Sequence, residues 1–396
     1  MAGTGGGGLP GGLRAAGDRL RELPGPARAG GAVAVLALAA LLPLAMPYVT
    51  ANAEYWDTIL VQIGIATLLA LGLNVVVGFA GLLDLGYVAF FAVGAYTYGV
   101  LSGSARYSVA LTEGTAHAAS LNPVWHAYYW LFFFAALAIA VGAGVVLGAP
   151  TLRLRGDYLA IVTLGFGEIV RVTANNLSSI DNGPRGLMNI PNPRIDVGGI
   201  HYGFGLSPTP YYLLLLGVIV VWILLLRRVN ASRVGRAWVA IREDELAAAA
   251  MGVPTVRMKL LAFAVGAAVA SLGGVIYASQ IGFISPDTFT IFNPQFGSVT
   301  ILAMVIVGGM GGFAGPIVGA ALIVFLPNYF RFLQDARVLF FGLALIIVMI
   351  LRPQGLIPSR RRAAELRGGV RDETVFDAAR YGVEQETIFE AERNAE

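Results

Sequence analysis

The segment RRVNASRVGRAWVAIREDELAAAAMGVPTVRMK, residues 227–259, lies between two long apolar runs and determines how the rest of the chain is interpreted. It holds seven basic and three acidic residues. Hydrocarbon excludes so polar a stretch, so we predict that it lies in water between two membrane spans. Residues 238–251 contain no Gly or Pro and include four consecutive alanines, which predicts one helix about 20 Å long. Gly252 and Pro254 are expected to end this helix.

The predicted helix has an apolar face. Trp238, Ile241, Ala248 and Met251 recur at spacings of three and seven residues, while the charged residues 242–245 occupy its middle. This pattern is typical of an amphipathic helix that lies outside the membrane. Two interpretations remain open from the residues alone: a solvated loop helix, or a docking element for another protein.

The composition is that of a polytopic membrane protein. Of 396 residues, 57% are hydrophobic and 13% are charged, and there are 51 glycines, which allow helices to pack closely in a bilayer. The chain has no cysteine and no GxxxxGK[ST] phosphate-binding loop. His117, His126 and His201 fall in predicted outer loops without metal-ligand spacing. We therefore expect no catalytic residue, metal site, cofactor or nucleic-acid partner.

Ten apolar segments are predicted as membrane-spanning helices, at about 20 residues per crossing. They cover residues 31–49, 58–77, 82–102, 128–149, 157–176, 210–226, 260–280, 296–309, 313–330 and 338–351. With a cytoplasmic N-terminus, 21 Lys and Arg residues fall in inner segments and five in outer ones, so both termini and residues 227–259 are expected in the cytoplasm. The predicted domains are a flexible basic tail at 1–30, a membrane domain at 31–357 and a C-terminal tail at 358–396. Ala51-Asn52-Ala53 leaves open a cleaved signal peptide.

Two glycine-rich segments interrupt the predicted spans, GFAGLLDLG at residues 78–86 and GGMGGFAGP at residues 308–316. Both contain GFAG, which is either an internal repeat of the kind found in transporters or a chance echo. Asp84 is the one carboxylate in the first segment, and Asn74 lies four residues before that segment. Because broken helices often line transport paths, we treat both as candidate path residues.

The predicted span at residues 157–176 is the least compatible with lipid. Glu168 and Arg171 lie three residues apart and can pair on one helical face. Each charge at mid-bilayer costs about 2.5–3.5 kcal/mol on insertion scales, so this helix should face protein or water. Two roles are open for this pair: an ion pair that fixes helix packing, or a polar wall of the permeation path. Both residues are therefore further path candidates.

Six segments occur in one order along the chain: GFAGLLDLGYVAFFAVGAY, GDYLAIVTLGFGEIVR, GRAWVAIREDELAAAAMGV, GFISPDTF, VIVGGMGGFAGPIVGA and LRPQGLIP. Together they resemble the LivM-type permease subunit of branched-chain amino acid ABC importers, over residues 58–358. The resemblance implies an all-α, type II importer-like bundle in a bacterial inner membrane. It also implies a homologous permease as partner in a heterodimer, two cytoplasmic ATPase subunits and an extracytoplasmic solute-binding protein.

The resemblance places a cytoplasmic coupling helix at residues 242–252. It implies ATPase-coupling roles for Arg242, Glu243, Asp244, Glu245 and Gly252. Here the glycine follows Glu245 by seven residues, one more than in the common importer pattern, and Asp181-Asn182-Gly183 stands where relatives more often have Thr-Gly-Gly.

The function that the resemblance implies is that of a permease subunit. It would form half of the translocation path for Leu, Ile and Val or a related small solute, and partner chains would hydrolyse ATP. An ion-coupled secondary carrier and a structural subunit of a membrane complex are the alternatives.

Overall fold

The computed structural model describes residues 25–49, 52–104, 106, 129–151, 157–197, 200–330 and 355–357, with single positions between 339 and 350. The chain divides into two units, residues 1–58 and residues 59–396. The first unit contains α1 (Gly25–Val49) and the start of α2 (Ala53–Asn74). The predicted first span began at residue 31, and the helix begins six residues earlier.

The second unit holds the remaining elements. A π-helix (Val75–Phe79) continues α2, and the later helices are α3 (Val88–Leu101), α4 (Tyr129–Thr151), α5 (Asp157–Asn176), α6 (Ser178–Asp181), α7 (Pro208–Ala231), α8 (Arg233–Glu243), α9 (Glu245–Ala250), α10 (Thr255–Ile281), α11 (Ser298–Gly308) and α12 (Ala314–Tyr329). Short 3-10 helices cover Gly183–Arg185 and Pro286–Phe289. The strands are β1 (Leu187–Met188), β2 (Arg194–Val197), β3 (Ile200–Gly203) and β4 (Phe283–Ile284).

Four helical segments in the described part of the chain are long and apolar enough to cross a membrane. They are Ala53–Phe79, Tyr129–Ala149, Pro208–Ala231 and Thr255–Ile281. The predicted span 157–176 coincides with α5, which is not among the four. The predicted span 82–102 is helical only from Val88, because the glycine-rich segment before it stays irregular. Most of the predicted span 338–351 lies outside the described residues.

The fold is mostly helical, but the all-α prediction is not strictly correct. Two small antiparallel sheets are present, in which β1 pairs with β4 and β2 pairs with β3. Leu187 lies opposite Ile284, and Arg194 lies opposite Gly203. These strands lie in the loops that follow α6 and α10. Their pairing provides partners for backbone groups that no helix satisfies there.

Helix α10 forms the centre of the second unit, packed against α3 and α4. A Cβ atom added at Gly94 would meet the backbone of Ser271, and one at Gly274 would meet the carbonyl of Phe91. The backbones of α3 and α10 are therefore in contact, as small residues allow between membrane helices. At one end of this contact the Phe91 and Phe289 rings lie 5.2 Å apart, edge to face. This core holds the polar segments described below in position.

Candidate functional site

The central polar segment consists of two helices, α8 and α9, rather than the single helix predicted at residues 238–251. That prediction is wrong because Asp244 adopts an extended conformation (φ −153°, ψ 112°) and caps α9. Its Oδ1 accepts hydrogen bonds from Leu246 N at 2.8 Å and Ala247 N at 3.0 Å. Aspartate is among the strongest N-cap residues, and here capping replaces helix continuation.

Gly252 ends α9, as the sequence predicts. The Val253 N–H donates to the Ala248 carbonyl and the Gly252 N–H to the Ala249 carbonyl, each at 3.0 Å. This is the hydrogen-bond pattern of a glycine helix end, and it needs the left-handed backbone that Gly252 adopts, with φ +83°. The predicted apolar face is confirmed for Trp238, Ile241 and Ala248, which are buried.

Met251 does not share the buried face. It is 85% exposed, because the break at Asp244 changes the direction of the chain between the two helices. Leu246 is exposed too, as are Glu243 and Asp244. We call these four residues, Glu243, Asp244, Leu246 and Met251, the docking surface. Sequence reasoning missed its apolar half, since helical periodicity assigned Met251 to the core and gave Leu246 no role.

Two contacts fasten α8 and α9 to the start of α10, and a third stabilises the start of α8. The Trp238 indole N–H donates to the Met258 carbonyl at 2.7 Å. The Lys259 Nζ lies 2.5 Å from Glu245 Oε1, and the lysine side chain is buried. The Ser232 hydroxyl caps α8 by accepting from Val234 N at 3.2 Å. The side chain of Glu245 therefore serves an internal ion pair.

Arg242 connects this segment to the first glycine-rich segment. Its Nη1 donates to the Gly78 carbonyl at 2.7 Å, at the end of the π-helix. A Cβ atom at Gly81 would come within 2.7 Å of the Arg242 side chain, so glycine leaves room for the arginine there. Arg242, assigned to ATPase contact on the basis of the resemblance, thus reaches into the same chain.

Asn74 joins the two GFAG segments. Its Nδ2 donates to the Gly312 carbonyl at 2.8 Å, and its Oδ1 accepts from Gly311 N at 3.0 Å. The side chain is 0% exposed. The Phe79 and Phe313 rings, one from each GFAG copy, lie 5.7 Å apart, edge to face. We call residues 78–81 and 312–315 the glycine junction. Whatever the origin of the echo, its two copies contact each other.

Asp84 takes part in a set of contacts separate from those of Asn74. It is buried, and its Oδ1 accepts from Gly86 N at 2.9 Å. Next to it, the Thr163 hydroxyl of α5 accepts from Leu85 N at 3.0 Å. The Asp84 Oδ2 has no hydrogen-bond partner among the described residues. These contacts hold the irregular segment before α3 against α5.

The predicted pair of Glu168 and Arg171 is confirmed. Arg171 Nε lies 3.0 Å from Glu168 Oε1, and its Nη2 lies 2.5 Å from the same oxygen. Arg171 Nη1 also lies 3.7 Å from Oδ1 of Asp287. The sequence indicated no link from Arg171 to Asp287, because 116 residues separate the two in the chain. The arginine therefore ties α5 to the 3-10 helix after α10.

The four predicted path residues do not form one site. Asn74 lies at the glycine junction, Asp84 lies before α3, and Glu168 pairs with Arg171 further along α5. The exposed face of α5 contains Ile161, Ile169 and Val172, and Glu168 is 44% exposed there.

The Glu168–Arg171 contact makes a measurable prediction. Arg171→Ala should destabilise the protein more than Glu168→Ala, because it removes the partner of two carboxylates. The double variant should lose less free energy of unfolding than the two single variants added together, by about 0.5 kcal/mol for a partly exposed pair. Thermal unfolding of the purified chain in detergent measures this. Arg185→Ala, at an exposed arginine, is the control, and strict additivity would contradict the contact.

The segment 181–183, predicted to lie in an outer loop, is a turn that bonds to itself. Asp181 Oδ1 accepts from Gly183 N at 3.0 Å, and Asn182 Nδ2 donates to the Gly186 carbonyl at 3.0 Å. Burial raises the pKa of the Asp181 carboxyl above its usual value. Both side chains thus stabilise the turn. Within the described residues, no three His, Cys, Asp or Glu side chains are grouped so that they could hold a metal ion.

The chain is similar in sequence to known transport proteins. Residues 55–349 match the family described as branched-chain amino acid transport system / permease component. The chain is 38% identical over 358 residues to the high-affinity branched-chain amino acid transport system permease protein LivM of Escherichia coli (strain K12), covering 84% of this chain and 77% of that protein.

More distant relatives match as well. A probable branched-chain amino acid transport permease protein LivM of Methanocaldococcus jannaschii is 24% identical, over 76% of this chain and 93% of that protein. The autoinducer 2 import system permease protein LsrC of Yersinia enterocolitica is 28% identical, over 48% of this chain and 49% of that protein. No solved structure matches. The family match and the identity to the Escherichia coli permease together establish that the chain belongs to the family of branched-chain amino acid transport system permease components.

Proposed function

We propose that this permease subunit of an ABC importer forms half of the translocation path for Leu, Ile and Val or a related small solute. Membership of the family makes it a transport subunit, and the energy would come from ATP hydrolysed by partner chains. The observation that carries the proposal is the docking surface, which exposes Leu246 and Met251 beside two carboxylates on a segment fastened to the membrane helices.

The proposed partners are a homologous permease, two cytoplasmic ATPase subunits and an extracytoplasmic solute-binding protein. An exposed leucine and methionine with an acidic rim fit a protein-protein contact, since apolar anchors surrounded by polar residues are typical of interfaces. Of the five predicted coupling residues, we keep Glu243 and Asp244 as contacts to the ATPase. Glu245 and Gly252 would shape the segment, through the Lys259 ion pair and the end of α9.

We propose that force passes from the docking surface to both copies of GFAG. Arg242 holds the Gly78 carbonyl, and Asn74, four residues before Gly78, holds Gly311 and Gly312. A shift of α8 would thus act directly on the break between α2 and α3 and on the turn between α11 and α12. Coordinated tilting of these helices would then change access to the path.

The proposed topology has ten spans in an inner membrane, with both termini and residues 227–259 in the cytoplasm. The excess of Lys and Arg in the inner segments supports this orientation. The domain division into 1–30, 31–357 and 358–396 follows from it. We propose that the exposed face of α5, with Glu168 and Arg171, contributes the polar wall of the path.

Reconstitution into liposomes tests the function. When both permeases, the ATPases and the binding protein are reconstituted together, uptake of labelled leucine should require ATP on the side of the membrane where the ATPases lie. Uptake by the purified chain alone, under an ion gradient, would instead support the secondary carrier. Full transport by the Glu168→Ala, Arg171→Ala double variant would contradict the proposed polar wall, as the structural-subunit alternative predicts.

The role of Arg242 makes its own prediction. Arg242→Ala removes a charge-assisted hydrogen bond worth about 1.5–3 kcal/mol, and about 1.4 kcal/mol corresponds to a tenfold change. Leucine taken up per ATP hydrolysed should therefore fall about tenfold or more. Arg236→Ala removes the same charge from an exposed position on α8, where the guanidinium bonds only within its own loop among described residues. Equal effects of the two variants would rule out transmission through Gly78.

A further inference from the structure

A cavity of about 140 Å³ opens between α2, α11, α12 and the segment that precedes α11. Its walls include Gln62 of α2, Gln295 of the preceding segment, Met304 of α11 and Ile323 of α12. Met304 lies six residues into α11, which is about 9 Å along that helix at 1.5 Å per residue. An engineered protein cavity of about 150 Å³ binds benzene, so this space suits a small molecule.

Three carboxamide side chains line this cavity, those of Gln62, Gln295 and Asn328. The structure gives the side chains of Gln62 and Gln295 no hydrogen bond to any described residue. The Asn328 Nδ2 donates to the Val324 carbonyl at 2.7 Å. A carboxamide both donates and accepts, so these groups can receive an ammonium group as well as a carboxylate. Amides that are left without protein partners in a membrane domain require water or a polar ligand.

The opposite wall is apolar. Met304 and Ile323 are buried, and Pro327 lies within α12. Because proline has no N–H, Pro327 takes the helical donor away from the carbonyl of Ile323 and leaves one more acceptor at the wall. None of the described residues that line the cavity carries a charge. A net charge on a ligand would have no counterpart there, so a ligand without net charge is favoured.

The cavity reaches from Met304 in the middle of α11 to Gln295 and Asn328, which lie at the end of α11 and α12 that is opposite the 309–313 turn. Under the proposed topology this end faces the extracytoplasmic side. We propose that the cavity is a solute-binding site of the permease itself, for a zwitterionic or neutral solute with a polar head and a short aliphatic chain. The orientation of this site rests on the proposed function. The subunit would meet this class of solute after the soluble receptor releases it.

Cysteine labelling tests this site, since the chain has no cysteine of its own. The Pro294→Cys variant keeps all three amides of the cavity wall. In the assembled transporter in right-side-out vesicles, it is treated with a membrane-impermeant thiol reagent in the absence of the receptor. Saturating L-leucine should slow labelling of this chain about tenfold, because a filled site shields the thiol by mass action. L-Glutamate, with a net charge, should leave the rate unchanged. The Phe292→Cys variant, at a 72% exposed position of the same segment, should be labelled without protection.

Two further measurements make the result decisive. Adding Gln62→Leu to the Pro294→Cys variant should raise the leucine concentration for half-protection at least tenfold, since it removes one of the amides that would bind the solute. Labelling that leucine does not slow would overturn the inference, and so would equal protection by glutamate. ATP-driven leucine uptake by the unmodified transporter is measured in parallel. Normal uptake without protection overturns only the binding site, whereas absent uptake overturns the proposed function.

Discussion

Trp238→Ala should abolish ATP-driven uptake while the membrane helices still insert. Trp238 is 1% exposed, and its indole N–H bonds the Met258 carbonyl, so it fastens α8 to the start of α10. Truncation of a buried Trp costs about 3–5 kcal/mol, through lost contacts and the cavity left behind. The substitution should destabilise the packing of α8 and α9, which contain the docking surface. These two helices should then detach from the start of α10.

Uptake, ATP hydrolysis and limited proteolysis of the assembled transporter measure this outcome. We expect cleavage within 227–259 in the Trp238→Ala variant, with ATP hydrolysis no longer matched by uptake. Trp238→Phe is the matched control, because it keeps most of the ring and loses one hydrogen bond worth about 1 kcal/mol. It should show an intermediate defect. Parental uptake by Trp238→Ala would exclude this anchor from coupling.

Gly319→Ala should prevent normal accumulation of the protein in the membrane. A Cβ atom at Gly319 would collide with the Met304 carbonyl and lie 3.0 Å from Gly308 N. The obstacle is backbone, so no side-chain rotation relieves it and α11 must move away from α12. Overpacking costs about 1–3 kcal/mol in most cores, and this contact should lie at the upper end.

Gly217→Ala provides a control of opposite sign. Gly217 lies within α7, and a Cβ atom there would have nothing within 4 Å. Replacing a helical glycine by alanine where space allows should raise stability by about 0.5–1 kcal/mol. Unfolding temperatures in detergent and the amounts of protein in membranes measure both variants. Equal behaviour of the two would contradict the close packing of α11 on α12.

The local features that sequence reasoning identified are those set by neighbouring residues. The Glu168–Arg171 pair follows from helical spacing alone, and the structure contains it. The end of α9 at Gly252 follows from glycine chemistry. The continuous helix at 238–251 was wrong for a local reason as well. Asp244 has a strong capping preference, which four alanines and helical periodicity concealed.

The contacts that define the site could not be predicted from neighbouring residues. Arg242 stays a predicted ATPase contact, but its local sequence did not indicate its hydrogen bond to the Gly78 carbonyl. Asn74 stays a predicted path residue, but its local sequence did not indicate its hydrogen bonds to Gly311 and Gly312, which lie more than 230 residues further along the chain. Each is a polar group that had to find a partner when buried, and many backbone carbonyls could have served. The packing of α8 against the π-helix selects the carbonyl that Arg242 contacts, and the packing of α2 against the turn after α11 selects the partners of Asn74.

Composition, span length and the placement of arginine by themselves predicted a polytopic membrane protein with a polar segment outside the bilayer. Transfer of side chains between water and hydrocarbon depends on residue type more than on neighbours in space, so it can be summed along a sequence. Tertiary structure decided which carbonyl accepts the hydrogen bond of Arg242 and which glycines meet between α11 and α12. It also decided that three amide side chains line one cavity. These depend on distances of a few ångströms between segments far apart in the chain, which no local pattern encodes.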